Sequence, residues 1–270
     1  GRALTLYEEV HEQKYYSNNK IHDNFLNQLA KIIPDDCKPI VLTDAGFRNT
    51  WFKLITQLGW DFVGRLRYNT NVKLAGQDDW QSVKALHKQS GMAAKFVGKG
   101  TVAKTNPMAM NIYIKLGKKK GRIKKTKQGQ RCQCSNSKKY EKEFKEPWVI
   151  ITSLPHQYSS PKKVMKLYKL RMQIEESFRD LKDKRYGFRL PESGTKSIIR
   201  LENLLLIALL ATVAIWLAGQ VAKDHEWHYQ LQANTVRKRA VLSIAFIGLH
   251  ILRDLEIYKI TQPELLDAIK

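Results

Sequence analysis

The fold of this chain is indicated first by Pro39-Ile40-Val41-Leu42-Thr43-Asp44, a short apolar run that ends at an acidic residue. The next residues, Trp51 to Leu58, carry apolar side chains at helical spacing and are followed by Gly59, a common residue after a helix. A second apolar run begins with Trp60-Asp61-Phe62-Val63. This succession of strand, helix and strand is typical of an α/β layer around a central sheet.

The residues before this stretch fit the same layer. Leu4 to Val10 alternates like a strand, and Phe25, Leu29 and Ile32 share one face of a predicted helix. The chain opens with Gly1 rather than Met and enters the strand pattern at once. We therefore expect an N-terminal segment of the fold to be missing from this sequence.

The composition favours a folded domain that binds a polyanion. The chain has 270 residues, of which 43% are hydrophobic, so it can fill a sizeable core and is not disordered as a whole. Its Lys+Arg count of 47 against an Asp+Glu count of 25 gives 47 − 25 = +22. Such a positive field favours nucleic acid as the partner, with an anionic membrane surface as the second candidate.

The chain has three cysteines, which do not form an even set for a disulfide framework. A reducing compartment is therefore favoured. Cys132 and Cys134 form a lone C-x-C pair, and Cys37 lies far upstream. A zinc site would need further ligands at suitable spacing, so free thiols are favoured over metal binding.

The most apolar run, Leu204 to Ala218, has fifteen residues. A membrane-spanning helix needs about 20, so a buried core helix is favoured and no membrane partner is expected. We divide the chain into a first part of the core (1–70), a β-rich basic insertion (71–146) and the remainder of the core with C-terminal helices (147–270).

The stretch from Gly91 to Lys145 is strongly basic, with sixteen Lys+Arg and two Asp+Glu. Two strand-like runs, Phe96 to Val102 and Met110 to Leu116, precede a glycine-punctuated basic loop. The loop is either a solvated charge run or, as we favour, a contact for phosphate backbones. Its candidate DNA-binding residues are Lys118, Lys119, Lys120, Arg122, Lys124 and Lys125.

A long helix predicted from Pro161 to Asp183 carries a polar stripe beside its apolar face. At 100° per residue, Tyr168, Arg171, Glu175 and Lys182 fall within a sector of about 60°. Periodicity alone favours a solvated face with ion pairs for such a stripe. Asp44 is similarly open to two interpretations, since it is either a cap or turn residue or a side chain in the crevice at the carboxyl end of a strand.

The spacing Tyr168-x2-Arg171-x3-Glu175-x6-Lys182 resembles the Y-R-E-K signature of the IS4 family of DDE transposases. The resemblance covers essentially the whole chain. Within the family, the sequence is similar to the Tn10/IS10 group. It includes Thr43-Asp44-Ala45-Gly46-Phe47, Glu146-Pro147-Trp148, Arg171-Met172-Gln173-Ile174-Glu175-Glu176 and Gln232-Ala233-Asn234-Thr235-Val236-Arg237. It implies a ribonuclease H-like mixed sheet flanked by helices, interrupted by a β-rich insertion, with a helical C-terminal part.

The resemblance also implies the metal site. Asp44 matches the second acidic residue of the family's triad and Glu175 the third. In the family these carboxylates hold two divalent cations, normally Mg²⁺ with Mn²⁺ as a substitute, for attack on a DNA phosphodiester. The family's first aspartate precedes the residues present here, so we expect the isolated chain to be inactive or nearly so.

Four further residues are assigned to DNA by the resemblance. Tyr168 and Arg171 match the pair that grips a phosphate at the transposon end, and Lys182 matches a contact to the terminal backbone. Trp148 matches a tryptophan that stacks on a flipped base in relatives that use a hairpin intermediate. The alternative for Trp148 is an ordinary core residue on a strand.

The function implied is cut-and-paste DNA transposition in the bacterial cytoplasm, with cleavage of double-stranded transposon ends, by hairpin formation, and strand transfer into target DNA. Family members act as homodimers on paired ends. A second hypothesis is a truncated, catalytically inactive transposase that only binds DNA or intact transposase. A third, a basic DNA- or RNA-binding protein without enzymatic activity, leaves the helix signature unexplained.

Overall fold

The computed structural model describes residues 3–16, 18–67, 70–117, 126, 128–137, 146–183, 190–233, 235–236 and 239–269. The chain divides into two compact units, Ser17–Met172 and a second formed by Gly1–Tyr16 with Gln173–Lys270. The six predicted basic loop residues lie outside the described residues, and these are Lys118, Lys119, Lys120, Arg122, Lys124 and Lys125.

The first unit contains a seven-stranded sheet in the order β1-β2-β7-β6-β5-β3-β4. Only β1 and β2 are parallel, and the other neighbours pair antiparallel. The strands are β1 (Ile40–Leu42), β2 (Asp61–Leu66), β3 (Asn71–Leu74), β4 (Gln81–Ser82), β5 (Lys95–Val102), β6 (Met108–Lys115) and β7 (Trp148–Thr152). The strands predicted for the insertion thus extend the sheet that contains β1, β2 and β7. The proposed boundaries at residues 70 and 146 remain predictions.

One face of the sheet is covered by α1 (Asn19–Ile32) and α2 (Asn49–Gln57), with the short α3 (Val83–Leu86) nearby in the same core. Their apolar side chains pack on the strand residues that point to this side, such as Phe62 and Ile151. Phe52 and Phe62 lie with ring centroids 4.4 Å apart. The helix predicted from Trp51 to Leu58 is confirmed, because its apolar stripe has a sheet to cover.

The opposite face is covered by α4 (Pro161–Leu170), which packs on Val63, Tyr113 and Ile150. The strand residues alternate between the two faces, so Phe62 and Val63 enter different cores. The Ser160 side chain caps the helix, and Pro161 occupies its first turn, where a missing N–H costs no hydrogen bond.

The single long helix predicted from Pro161 to Asp183 is wrong. The structure has two helices, α4 and α5 (Met172–Lys182), with Arg171 between them. Arg171 keeps helical dihedral angles, but its amide donates to the Tyr168 carbonyl three residues back, at 3.2 Å. No glycine or proline marks this break.

The second unit contains the remaining helices, α6 (Ile198–Asp224), α7 (His228–Leu231), α8 (Ile244–Arg253) and α9 (Gln262–Asp267). Helices α6 and α8 cross at two glycines. A Cβ on Gly248 would lie 1.8 Å from the Ile215 carbonyl oxygen, and one on Gly219 would lie 2.2 Å from the Ile244 oxygen. The glycines therefore allow the two backbones to touch.

Helix α6 contains the apolar run that was predicted to be a buried core helix. Its C-terminal part is buried, with Ala218 and Ala222 in the core against α8. Its N-terminal part is not, since Ile199 is 71% exposed and Leu210 is 63% exposed. By length and composition alone, α6 is the one helix in the described part of the chain that could cross a membrane.

The strand predicted from Leu4 to Val10 is wrong. The described residues from Ala3 to Glu12 have no regular secondary structure, and Leu6 is exposed. Instead of pairing with a strand, Ala3 bonds through its backbone to the Ser177 side chain on α5. The α/β architecture with a mixed sheet flanked by helices is confirmed.

Candidate functional site

Asp44 lies beyond the carboxyl end of β1, beside the parallel strand β2. The Thr43 amide still donates to the Val63 carbonyl at 3.0 Å, so the sheet pairing continues up to the residue before Asp44. Asp44 is exposed, and its Oδ1 accepts the Gly46 amide at 2.7 Å. Because α2 begins only at Asn49, Asp44 is not its cap but holds a tight turn at the sheet edge.

Tyr168 links α4 to this end of the sheet. Its ring is only 4% exposed and meets the Trp148 ring edge-on, with centroids 5.3 Å apart. Trp148 begins β7 and is half-buried, so one part of its indole remains accessible. The burial of Tyr168 leaves little of its side chain for a ligand to contact.

The Tyr168 hydroxyl lies among charged groups that converge on it. Burial raises its pKa above the ordinary value, while the Arg171 and Arg65 charges and a hydrogen bond from Arg171 oppose that rise. The negative charge of Asp44 raises the same pKa further. The Arg171 guanidinium also lies over the Tyr168 ring, 5.8 Å from its centroid. Arg171 is therefore positioned by its contacts with a buried side chain.

Arg65 is a further candidate site residue that the sequence did not single out. It lies on β2, two residues after Val63, and so on the same face as Tyr168. Its Nε is buried and has no hydrogen-bond partner among the described residues. A charged residue on the inner face of a buried strand is costly unless it is paired, which is the signal that could have revealed it.

Glu175 and Lys182 lie on α5, whose described residues include no buried side chain. Both are exposed. Ser177 anchors this helix within its own unit: its hydroxyl donates to Ala3 O at 2.9 Å and accepts the Ala3 amide at 3.2 Å. Asp44, Tyr168, Arg171 and Trp148 belong to the first unit, whereas Glu175 and Lys182 belong to the second.

The C-x-C pair forms no metal centre with other described residues. The Cys132 and Cys134 sulfur atoms lie 3.3 Å apart, and no disulfide joins the three cysteines, all of which the structure describes. No group of three or more His, Cys, Asp or Glu side chains suited to a metal occurs among the described residues.

Comparison with known families matches residues 4–214 to the Transposase DDE domain. The chain therefore belongs to the Transposase DDE domain family, and its mixed seven-stranded sheet flanked by helices agrees with the ribonuclease H-like fold of DDE transposases. The search of curated proteins finds no match for the chain. This family consists of nuclease and transposition enzymes whose substrate is DNA and whose members generally use divalent metal ions.

Proposed function

We propose that the chain is the catalytic core of a cut-and-paste transposase of the IS4 family, similar to the Tn10/IS10 group. The observation that supports this most directly is the cluster at one end of the sheet, where an exposed carboxylate, two arginines and a Tyr–Trp pair converge. A carboxylate beside phosphate-binding cations suits metal-assisted chemistry on a DNA backbone.

Asp44 and Glu175 are the proposed metal ligands. Both carboxylates are exposed, and no described residue donates a hydrogen bond to Asp44 Oδ2, so this oxygen can coordinate a cation. Hard carboxylate oxygens suit Mg²⁺, and Mn²⁺ is accepted by similar donor sets. When bound, two such cations would supply Lewis acidity for in-line attack on a phosphodiester.

Arg171 is the proposed clamp for a phosphate near the cleavage point, with Tyr168 as its support and Lys182 as a further backbone contact. Arg65 adds a second guanidinium on the same face of the sheet as Tyr168. Arginine suits this position because its planar fork donates two parallel hydrogen bonds to a phosphate. Trp148 would stack on a base flipped out during formation of a hairpin.

The proposal includes a homodimer on two paired inverted-repeat ends, transfer of the 3′ ends into target DNA, and a bacterial cytoplasmic location at the nucleoid. The basic residues 118–125 would add backbone contacts, because phosphate binding requires charge without sequence readout.

The metal ligands can be tested without measuring catalysis. Mn²⁺ binding, followed by electron paramagnetic resonance, should weaken more than about tenfold in Asp44→Asn and in Glu175→Gln, since loss of even an outer-shell partner costs 10–100-fold. Asp36→Asn and Glu256→Gln remove exposed carboxylates that the proposal does not assign to the metal and should leave binding unchanged. Equal Mn²⁺ affinity in all five proteins would contradict the assignment.

Activity is tested with a chain that includes the upstream reading frame, on duplexes that carry the inverted repeats flanking the gene. Mg²⁺-dependent nicking at the repeat boundary that disappears in Asp44→Asn, with binding retained, would support transposase activity. Binding of these duplexes without any cleavage would instead favour the second hypothesis, a protein that only binds DNA or intact transposase.

A further inference from the structure

The outer face of α4 carries a row of lysines that the proposed active site does not use. Lys162, Lys166 and Lys169 are all exposed, and they recur at the i, i+4, i+7 positions of one helical stripe. The surrounding sequence contains no counter-charge: residues 147–174 include five Lys and Arg and no Asp or Glu. We call these three residues the lysine stripe.

The lysine stripe does not stabilise the helix that carries it. Lys162 lies in the first turn, which contains no acidic residue, where its charge opposes the helix dipole. Lys162 and Lys166 form a like-charged i, i+4 pair, which is also unfavourable. No described residue forms an ion pair with any member of the stripe. Lys162 thus opposes the helix dipole and repels Lys166, and no ion pair with a described residue offsets this cost. Such an uncompensated cost points to a ligand outside the chain.

The lysine stripe points away from the proposed phosphate clamp. Taking Tyr168 as zero and 100° per residue, the three lysines lie at about 100° to 160°, whereas Arg171 lies at about −60°. Tyr168 is buried against the sheet, so the stripe occupies the outward side of α4. Arg171 and the stripe therefore face opposite sides of α4, so one straight segment of DNA backbone does not run along both.

We propose that the lysine stripe binds the phosphate backbone of a second duplex, separate from the duplex held near Arg171, without sequence preference. Three ammonium groups along about 10 Å of helix axis match a polymer with one charge per 3.4 Å of each strand. The inference rests on the proposed function, since it presupposes that a first duplex occupies the site at Asp44.

The test uses the whole chain, preloaded with an inverted-repeat duplex and then titrated with a labelled duplex of unrelated sequence at several salt concentrations. The stripe variant combines Lys162→Gln, Lys166→Gln and Lys169→Gln. Its matched control combines Lys20→Gln, Lys88→Gln and Lys104→Gln, which removes the same charge from exposed lysines elsewhere in the same unit. The Tm of the stripe variant should not fall, because the substitutions remove repulsion within α4.

In the stripe variant, we expect affinity for the unrelated duplex to fall on the order of tenfold or more at moderate salt. The slope of log affinity against log salt should fall by about three, one for each lysine. The control should keep the wild-type slope.

Equal losses in the two variants, or none in either, would overturn the proposal, because net charge rather than the stripe would then set affinity. Loss of the inverted-repeat duplex in the stripe variant would also overturn it, since the stripe would then belong to the first duplex. Both of these results concern DNA binding by the lysine stripe and leave Asp44 unaltered. Failure of the proposed function would be seen in a different measurement, as unchanged Mn²⁺ binding in Asp44→Asn.

Discussion

At the scale of single residues, the site depends on how one buried phenol is surrounded. Tyr168 packs against Trp148 and receives a hydrogen bond from Arg171, while Arg65 approaches from the neighbouring strand. A guanidinium held against an aromatic ring loses little freedom on binding a phosphate, because its position is already set. The role that we assign to Tyr168 is therefore to position Arg171.

This role predicts a specific effect of Tyr168→Phe. The substitution keeps the edge-on contact with Trp148 but removes the hydroxyl that holds Arg171, and a hydrogen bond to a charged group contributes about 1.5–3 kcal/mol. Affinity for the inverted-repeat duplex should fall about tenfold in a titration, and the free energy of unfolding in urea should fall by no more than about 1.5–3 kcal/mol.

Tyr158→Phe removes a hydroxyl from a tyrosine that is 69% exposed and serves as the control. If both variants bound the duplex as tightly as the wild type, the positioning role of Tyr168 would be refuted.

At the scale of elements, helices α6 and α8 can pack closely only because glycine, which has no side chain, stands where they cross. Gly219 and Gly248 each face a backbone oxygen of the other helix, Ile244 O and Ile215 O. A methyl group there cannot be accommodated by rotating a side chain, since the obstacle is the main chain. Separating the helices would expose the core around Ile247 and Ile251.

Gly248→Ala should therefore destabilise the protein. Alanine gains about 1 kcal/mol of helix propensity over glycine, but overpacking a tight contact costs typically 1–3 kcal/mol, and here the added carbon meets an oxygen at 1.8 Å. We expect the clash to dominate, with a net loss of about 1 kcal/mol or more in urea unfolding.

The matched control is Gly117→Ala, where an added Cβ meets no atom within 4 Å. It should leave stability unchanged or raise it slightly by restricting the unfolded chain. A Gly248→Ala protein as stable as the wild type would show that the helices can move apart at little cost.

At the scale of the whole molecule, the dominant property is a net charge of +22 on 270 residues. Such a charge draws polyanions at long range but also repels itself, which destabilises the compact state. The lysine stripe, with no acidic residue nearby in sequence, is a local instance of the same imbalance.

We therefore expect the Tm of the free protein to rise as sodium chloride increases from about 0.01 M to about 0.15 M. The screening length falls over this range from about 30 Å to about 8 Å, which weakens repulsion between distant charges. Differential scanning fluorimetry measures the shift, and an uncharged osmolyte at equal osmolarity separates it from general solute effects. A flat or falling Tm would show that self-repulsion is not a significant term.

Much of the fold and of the proposed site followed from local pattern. Residues 61–66 and 49–57 formed the strand and helix that their apolar spacing indicated, because each had a core face to cover. The spacing of Tyr168 and Arg171 within a few residues also singled out the pair that the structure brings together. These local features depend on residues that are close in sequence, so the spacing of apolar and polar residues is enough to predict them.

Other features could be decided only by tertiary structure. The interruption at Arg171 has no glycine or proline to announce it, and Leu4 to Val10 alternates like a strand but finds no strand to pair with. Arg65 comes near Tyr168 because β2 packs against α4, a contact between residues about a hundred positions apart. The sequence by itself determined the α/β class, the charge and the helix signature. The tertiary structure decided which elements pair, because a strand or a buried charge is stable only with partners that distant segments supply.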